Sequence, residues 1–250
     1  LNNNQNVFLG YQAGFTNTTG YYNNASGAYA LYSNIDGSNN VASGYQALYS
    51  NTIGNYNSAS GYAALFSNTE GNYNSASGAY ALLFNTTGDN NIASGAYALF
   101  NNTEGSYNSA SGRNALFNNT TGNNNSATGA YALSFNTEGN NNSATGASAL
   151  LSNTTGDYNS AVGYQAFFNG ASYSNSTALG YSSNITASNQ IRLGNNAVTS
   201  IGGFANWSNV SDARFKTNVN ENVAGLDFIN ELRPVTYNLD MNAIANMLNT

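Results

Sequence analysis

Across 250 residues the chain carries 5 Lys and Arg, 11 Asp and Glu, and neither His nor Cys. This shortage of positive charge leaves no electrostatic footprint for nucleic acid. The missing Cys and His remove disulfides and zinc chemistry, and no apolar run of about 18 residues supplies a membrane-spanning helix.

Residues 1–9 are a lead-in. Leu1-Asn2-Asn3-Asn4 is neither basic nor apolar, so no signal peptide is visible and the start is expected to be an internal cut of a longer chain.

From Gly10 to Gly180 glycine returns every 17 residues and frames ten units of the form G-x-x-A-L-x-x-N-T-x-G-x-x-N-S-A-S. We number the unit from its glycine. Position 4 is Ala in all ten units (Ala13 to Ala166), and position 16 is Ala from Ala25 to Ala178. Position 8 is Asn from Asn17 to Asn153, and position 14 is Asn from Asn23 to Asn159. A fixed period of this size means stacked supersecondary units. Only 6% charged residues with much Asn could signal a disordered or prion-like tract, but 41% hydrophobic residues and the strict register stand against it.

Seventeen residues suffice for one flattened coil, two strands of about five residues joined by two turns. The turn signal is Asn-Thr-x-Gly, as at Asn17–Gly20 and Asn51–Gly54, where Asn opens the turn and Gly is expected to supply positive φ. Gly interrupts the chain too often for helix. Coils stacked about 4.8 Å apart give a shaft of roughly 48 Å. So thin a coil is not expected to enclose both the Leu row (Leu31 to Leu150) and the aromatics that follow it, so self-association about an axis is expected.

Residues 181–210 depart from the period and read as a neck with cap strands, Ile191–Leu193 and Val198–Ile201, that would protect the open edge of the shaft.

Asn-Ser-Ala-Val-Gly-Tyr (Asn159–Tyr164) and Asn-Ser-Thr-Ala-Leu-Gly-Tyr (Asn175–Tyr181) resemble the head repeats of trimeric autotransporter adhesins. The resemblance implies a left-handed parallel β-roll with three chains side by side. Most other units depart from it, with Ser or Thr before the glycine and a longer period. The long unit G-x-x-A-L-x-x-N-T-T-G is similar to repeats of tail-fibre-like proteins of phages, large viruses and some bacteria, and that likeness fits better.

From Ser211 the composition changes: residues 1–210 hold eight charged side chains, and 211–250 hold eight more. Asn222–Arg233 reads as a short helix ended by Pro234, with a strand at Val235–Tyr237, a small α+β segment. Ser211-Asp212-Ala213-Arg214-Phe215-Lys216, Gly225-Leu226-Asp227 and Leu232-Arg233-Pro234-Val235 together look like the opening of an intramolecular chaperone domain of the endosialidase type. The resemblance implies trimerisation, alignment of the β-shaft, and in many members self-cleavage. It implies Ser211 as nucleophile and Lys216 as its base, cutting the Val210–Ser211 bond; a desolvated lysine can activate a hydroxyl in this way. On the residues alone, Ser211 and Asp212 capping a turn beside a solvated Lys216 is the favoured account.

Other rows admit two readings each. The Asn rows present donors and acceptors to glycans or ions, or form amide ladders between coils. Tyr56, Tyr73, Tyr107 and Tyr158 stack on sugars, or cover the coil or fill the interface between chains. Acids beside the turn, such as Asp36, Glu70 and Asp89, bind calcium weakly, or keep the shaft soluble. The Thr row (Thr18, Thr52 to Thr154) binds ice only if flat and exposed.

The expected protein is all-β, a β-solenoid of ten coils in a parallel homotrimer. It would be the structural and attachment shaft of an extracellular fibre, on a virion tail or a bacterial surface. Cell-surface glycan is the further partner considered, in a glycan-binding adhesin module; cis autoproteolysis at Ser211 is the sole reaction considered. No cofactor and no metal is expected.

Overall fold

The structure, a computed structural model, describes residues 5–170 and 172–202. The chain divides after Ala197, and of the second unit, Val198–Thr250, only 198–202 are described. The first unit holds twelve strands of three residues each: β1 (Val7–Leu9), β2 (Asn24–Ser26), then one every 17 residues to β11 (Thr177–Leu179), and β12 (Ile191–Leu193). They form one parallel sheet in chain order. Register steps by 17 from Val7↔Asn24 through Ser160↔Thr177, then by 14 at Thr177↔Ile191. The result is a β-solenoid of eleven turns, with no helix among the described residues.

Each coil has one strand, where two were expected. The strand occupies positions 15–17, with the central Ala turned inward and its neighbours mostly exposed. The other side, positions 1–5, alternates the sign of φ instead: Gly27 at 141°, Tyr29 at 59°, Leu31 at 51°, with Ala28 and Ala30 between them negative. Its amides still bond to neighbouring coils on both sides, Tyr29 N–H to Tyr11 O at 2.8 Å and Leu31 N–H to Ala47 O at 3.0 Å. The reason lies in the core. Consecutive residues of a β-strand face opposite ways, yet Ala30 and Leu31 are both fully buried. A left-handed residue at position 5 turns the Leu back inside, at a cost of about 1–2 kcal/mol that burial of the side chain, about 1.5–3 kcal/mol, offsets.

The Leu row from Leu31 to Leu150 is therefore enclosed by the coil itself, packed with the Ala rows of positions 4 and 16. Of the two rows that one coil was not expected to enclose together, the leucines are fully enclosed and only the aromatics after them remain partly uncovered. Replacing Leu99 by Ala should lower stability by about 3 kcal/mol, since neighbouring coils hold the cavity open. Denaturant unfolding monitored by tyrosine fluorescence checks this.

The glycines of the Asn-Thr-x-Gly turns have a different reason from the expected one. Gly105 does not have positive φ. A Cβ there would lie 2.5 Å from both Asn102 Oδ1 and Gly122 O, so the next coil simply leaves no room.

Both ends exchange large and small residues. At the first coil Phe8 takes the inward strand position usually held by Ala, and Gly14 takes the Leu position; a Cβ on Gly14 would strike the Phe8 ring at 2.5 Å. Near the other end Phe167 replaces Leu and Gly170 replaces Asn; a Cβ on Gly170 would lie 2.7 Å from the Tyr173 ring and 2.9 Å from the Phe167 ring. Ile185 closes the short last coil, 1% exposed. Within the expected neck, β12 continues the sheet, while residues 198–202 carry no strand, contrary to the strand expected at Val198–Ile201.

Candidate functional site

Three amide and hydroxyl rows tie coil to coil. At position 8 each Asn after Asn17 donates both amide hydrogens: Asn102 Nδ2 reaches Asn85 Oδ1 at 2.7 Å and Gly105 O at 2.8 Å, while its own Oδ1 accepts from Asn119 at 2.7 Å. The ladder runs unbroken from Asn17 to Asn153. It stops there because Gly170 occupies the next rung, which leaves Asn153 Oδ1 buried without a partner. At position 14, Asn91 Oδ1 accepts the backbone N–H of Asn108 at 3.0 Å, and Asn91 Nδ2 donates to Gly105 O at 2.8 Å. These asparagines are interior ladder members, with no face free for a ligand.

The third row, at position 12, escaped the sequence reading because its residue type changes from coil to coil. Asn72 N–H donates to Asp89 Oδ1 at 2.6 Å, Asp89 N–H to Ser106 Oγ at 3.0 Å, and Ser106 N–H to Asn123 Oδ1 at 2.8 Å. The shared property is a short side chain with an acceptor oxygen, so identity alone hides it. Asp89, one of the acids beside the turn, and Asp157 are members of this row. Among the described residues no group of three or more acids or imidazoles could hold a metal ion.

The Thr row is half-buried, and its hydroxyls donate to the next coil's backbone, Thr86 Oγ1 to Thr103 O at 2.9 Å. A flat row of free hydroxyls for ice is not what the fold presents. Beside it runs a groove of about 440 Å³ between Phe84, Asn101 and Asn118 on one side and Thr86, Thr103 and Thr120 on the other. The Thr hydroxyls on its wall are already committed as donors.

The most extensive partly exposed feature is aromatic. At position 6, Phe15, Tyr32, Tyr49 and Phe66 stack at ring separations of 5.4, 5.0 and 5.0 Å with planes within 7° of parallel. Phe100 and Phe117 repeat the arrangement at 5.0 Å. Tyrosines at positions 2 and 3 flank them and touch them, Tyr29 to Tyr32 at 5.9 Å and Tyr97 to Phe100 at 5.6 Å. The spacing follows from the coil repeat of about 4.8 Å, which sets identical rings at stacking distance. Tyr56 and Tyr73, at position 13, form a separate stack at 4.9 Å. Stacked rings cover each other's faces, so these tyrosines offer a sugar mainly edges.

Burial, and after it the neighbouring tyrosines, raise the Tyr29 phenol above the ordinary 10.0. Burial likewise raises Tyr80, with Tyr62 beside it. A phenol with a raised folded pKa stabilises the fold fully below the unfolded value and stops doing so as pH rises through the folded one. Stability should therefore decline from about pH 10 upward, with two phenols ionising late in an absorbance titration. Tyr29→Phe and Tyr80→Phe together should remove the late phase.

Ser211 and Lys216, and the helix and strand expected after them, lie outside the described residues. No helix among the described residues is long and apolar enough to cross a membrane. Residues 211–246 match the family model described as chaperone of endosialidase. No curated protein and no solved structure shows significant similarity to the chain. A repetitive β-solenoid followed by that match fits a tail-fibre-like structural protein with an intramolecular chaperone segment.

Proposed function

We propose that the chain is the shaft of a homotrimeric extracellular fibre, on a virion tail or a bacterial surface, and that it provides reach and attachment. The carrying observation is the order of its parts: an unbroken twelve-stranded solenoid, then a segment matching an endosialidase chaperone at 211–246. A chaperone in cis suits a shaft whose near-identical coils could pair out of register between chains. Light scattering of the purified 250-residue chain should give three times 26.1 kDa at micromolar concentration. A stable particle of 26.1 kDa would overturn the homotrimer.

A second reading, self-cleavage in the full-length protein, is favoured by the family match beginning at Ser211 itself. Ser211 Oγ would attack the Val210 carbonyl carbon with Lys216 Nζ taking the hydroxyl proton and passing it to the Ser211 nitrogen as the C–N bond breaks; water would then hydrolyse the resulting ester to the Val210 carboxylate and the free Ser211 hydroxyl. Mass spectrometry of the full-length protein should find a fragment ending at Val210, absent after Ser211→Ala while trimers still assemble. If the unmodified full-length protein never yields that fragment, this reading fails and the fibre reading stands.

A further inference from the structure

The aromatic ribbon has an extent that the fold of one chain does not use. It runs coil after coil from Tyr11 to Phe117, and Tyr11, Phe15, Tyr45 and Tyr62 are between 42% and 66% exposed, although their neighbours Leu31, Leu48 and Leu65 are fully enclosed. We propose that this ribbon is the face by which copies of the chain pack about their common axis, parallel and in the same register. The proposal rests on the homotrimer reading above and adds which side of the coil faces inward.

Area supports it first. Aromatic side chains bury about 150–250 Å² each, so Tyr11, Phe15, Tyr45 and Tyr62, with the eight partly buried rings beside them, leave several hundred Å² of ring surface uncovered. A stable interface needs about 800 Å² from each partner, and a monomer seldom exposes a patch beyond a few hundred.

Charge supports it independently. All six acids of residues 5–202 stand at positions 10 and 12: Asp36, Glu70, Asp89, Glu104, Glu138 and Asp157. Positions 2, 3 and 6 hold a single charged residue, Arg113. Around a symmetry axis each charge meets its own copies, so the acid corner belongs outside and the nearly uncharged ribbon inside. The strand face is the alternative, but its exposed residues are mainly hydroxyls, such as Ser58, Ser60, Ser75 and Ser77, which would have to give up water for little apolar gain.

The ribbon also marks register. Leu83 interrupts the position-6 rings and Ser134 ends their first run, so a slip by whole coils sets a gap against a ring. Only equal register superimposes like on like.

The chain has no cysteine, which makes single-site linking direct. Wild-type chain is first sized by light scattering; a monomer would sink the homotrimer reading itself. Given an oligomer, Phe66→Cys and Ser58→Cys variants of the 250-residue chain are treated with a short bismaleimide. Phe66→Cys should give covalently paired chains on denaturing gels, and Ser58→Cys none. Pairs from Ser58→Cys, or no pairs from Phe66→Cys in an assembly of wild-type mass, overturn the choice of face and leave the homotrimer intact. A Phe66→Cys chain that no longer assembles is replaced by Tyr49→Cys, one coil away in the same row, and judged by the same outcomes.

Discussion

Gly78→Ala is expected to be among the most damaging single substitutions in the shaft, costing more than about 4 kcal/mol. Gly78 sits at φ 135°, a backbone that side-chain-bearing residues rarely adopt, at a cost of about 1–3 kcal/mol by itself. Its new Cβ would also lie 2.7 Å from both Gly95 C and Gly95 O. These are backbone atoms of the next coil, so no rotamer change relieves the contact and the sheet must open locally. Hydrogen exchange should report loss of protection at Gly78 and Gly95, whose amides bond to Ser60 O and Ser77 O. Ser77→Ala, on the exposed strand face next door, should change stability by less than about 0.5 kcal/mol. Equal tolerance of both substitutions would contradict the close approach of the coils.

Asn102→Ala should cost about 3–5 kcal/mol, because it removes a side chain with three hydrogen bonds in a site closed to water. Asn85 Oδ1 loses its donor, and Asn119 Nδ2 loses its contact along the ladder. Asn153→Ala removes only the two bonds its amide donates, to Asn136 and Gly156, since its oxygen is already unpaired. The middle rung should therefore be more sensitive than the last by about 1 kcal/mol. Urea unfolding of the two variants measures the difference, and identical losses would mean that the ladder does not act as a continuous line.

The sequence made the period, the stacking and the two Asn rows legible because each repeats an identity at a fixed interval. The Ala-Leu pair at positions 4 and 5 was legible too, but its meaning was missed. Two adjacent small and apolar residues recurring together cannot both face the interior of a β-strand, so the pair itself argued against a second strand. Reading the strand there led directly to the overestimate of what a partner must cover, since the left-handed turn at Leu31, Leu48 and their equivalents is what encloses the Leu row. The position-12 row was hidden for the opposite reason. Asn, Asp and Ser there serve one function as acceptors, and a search for repeated identity passes over them. The aromatic rows were visible as residues, but their union across positions 2, 3 and 6 depends on the folded path. The Ser211–Lys216 pair rests on its family resemblance alone, since a span of five residues does not specify whether two side chains meet.

The ladders also bear on how such a protein can change over generations. Every rung from Asn34 to Asn136 meets the same kind of neighbour above and below. Duplication of one 17-residue segment between these limits would create no new type of junction, whereas an insertion that is not a multiple of 17 residues would put the three rows out of step. Each duplicated segment would move the two fitted ends, Phe8 with Gly14 and Phe167 with Gly170, apart by about 4.8 Å without altering either. Recombination between repeats thus offers descendants of this gene a graded series of lengths, selectable by the distance a carrier must span.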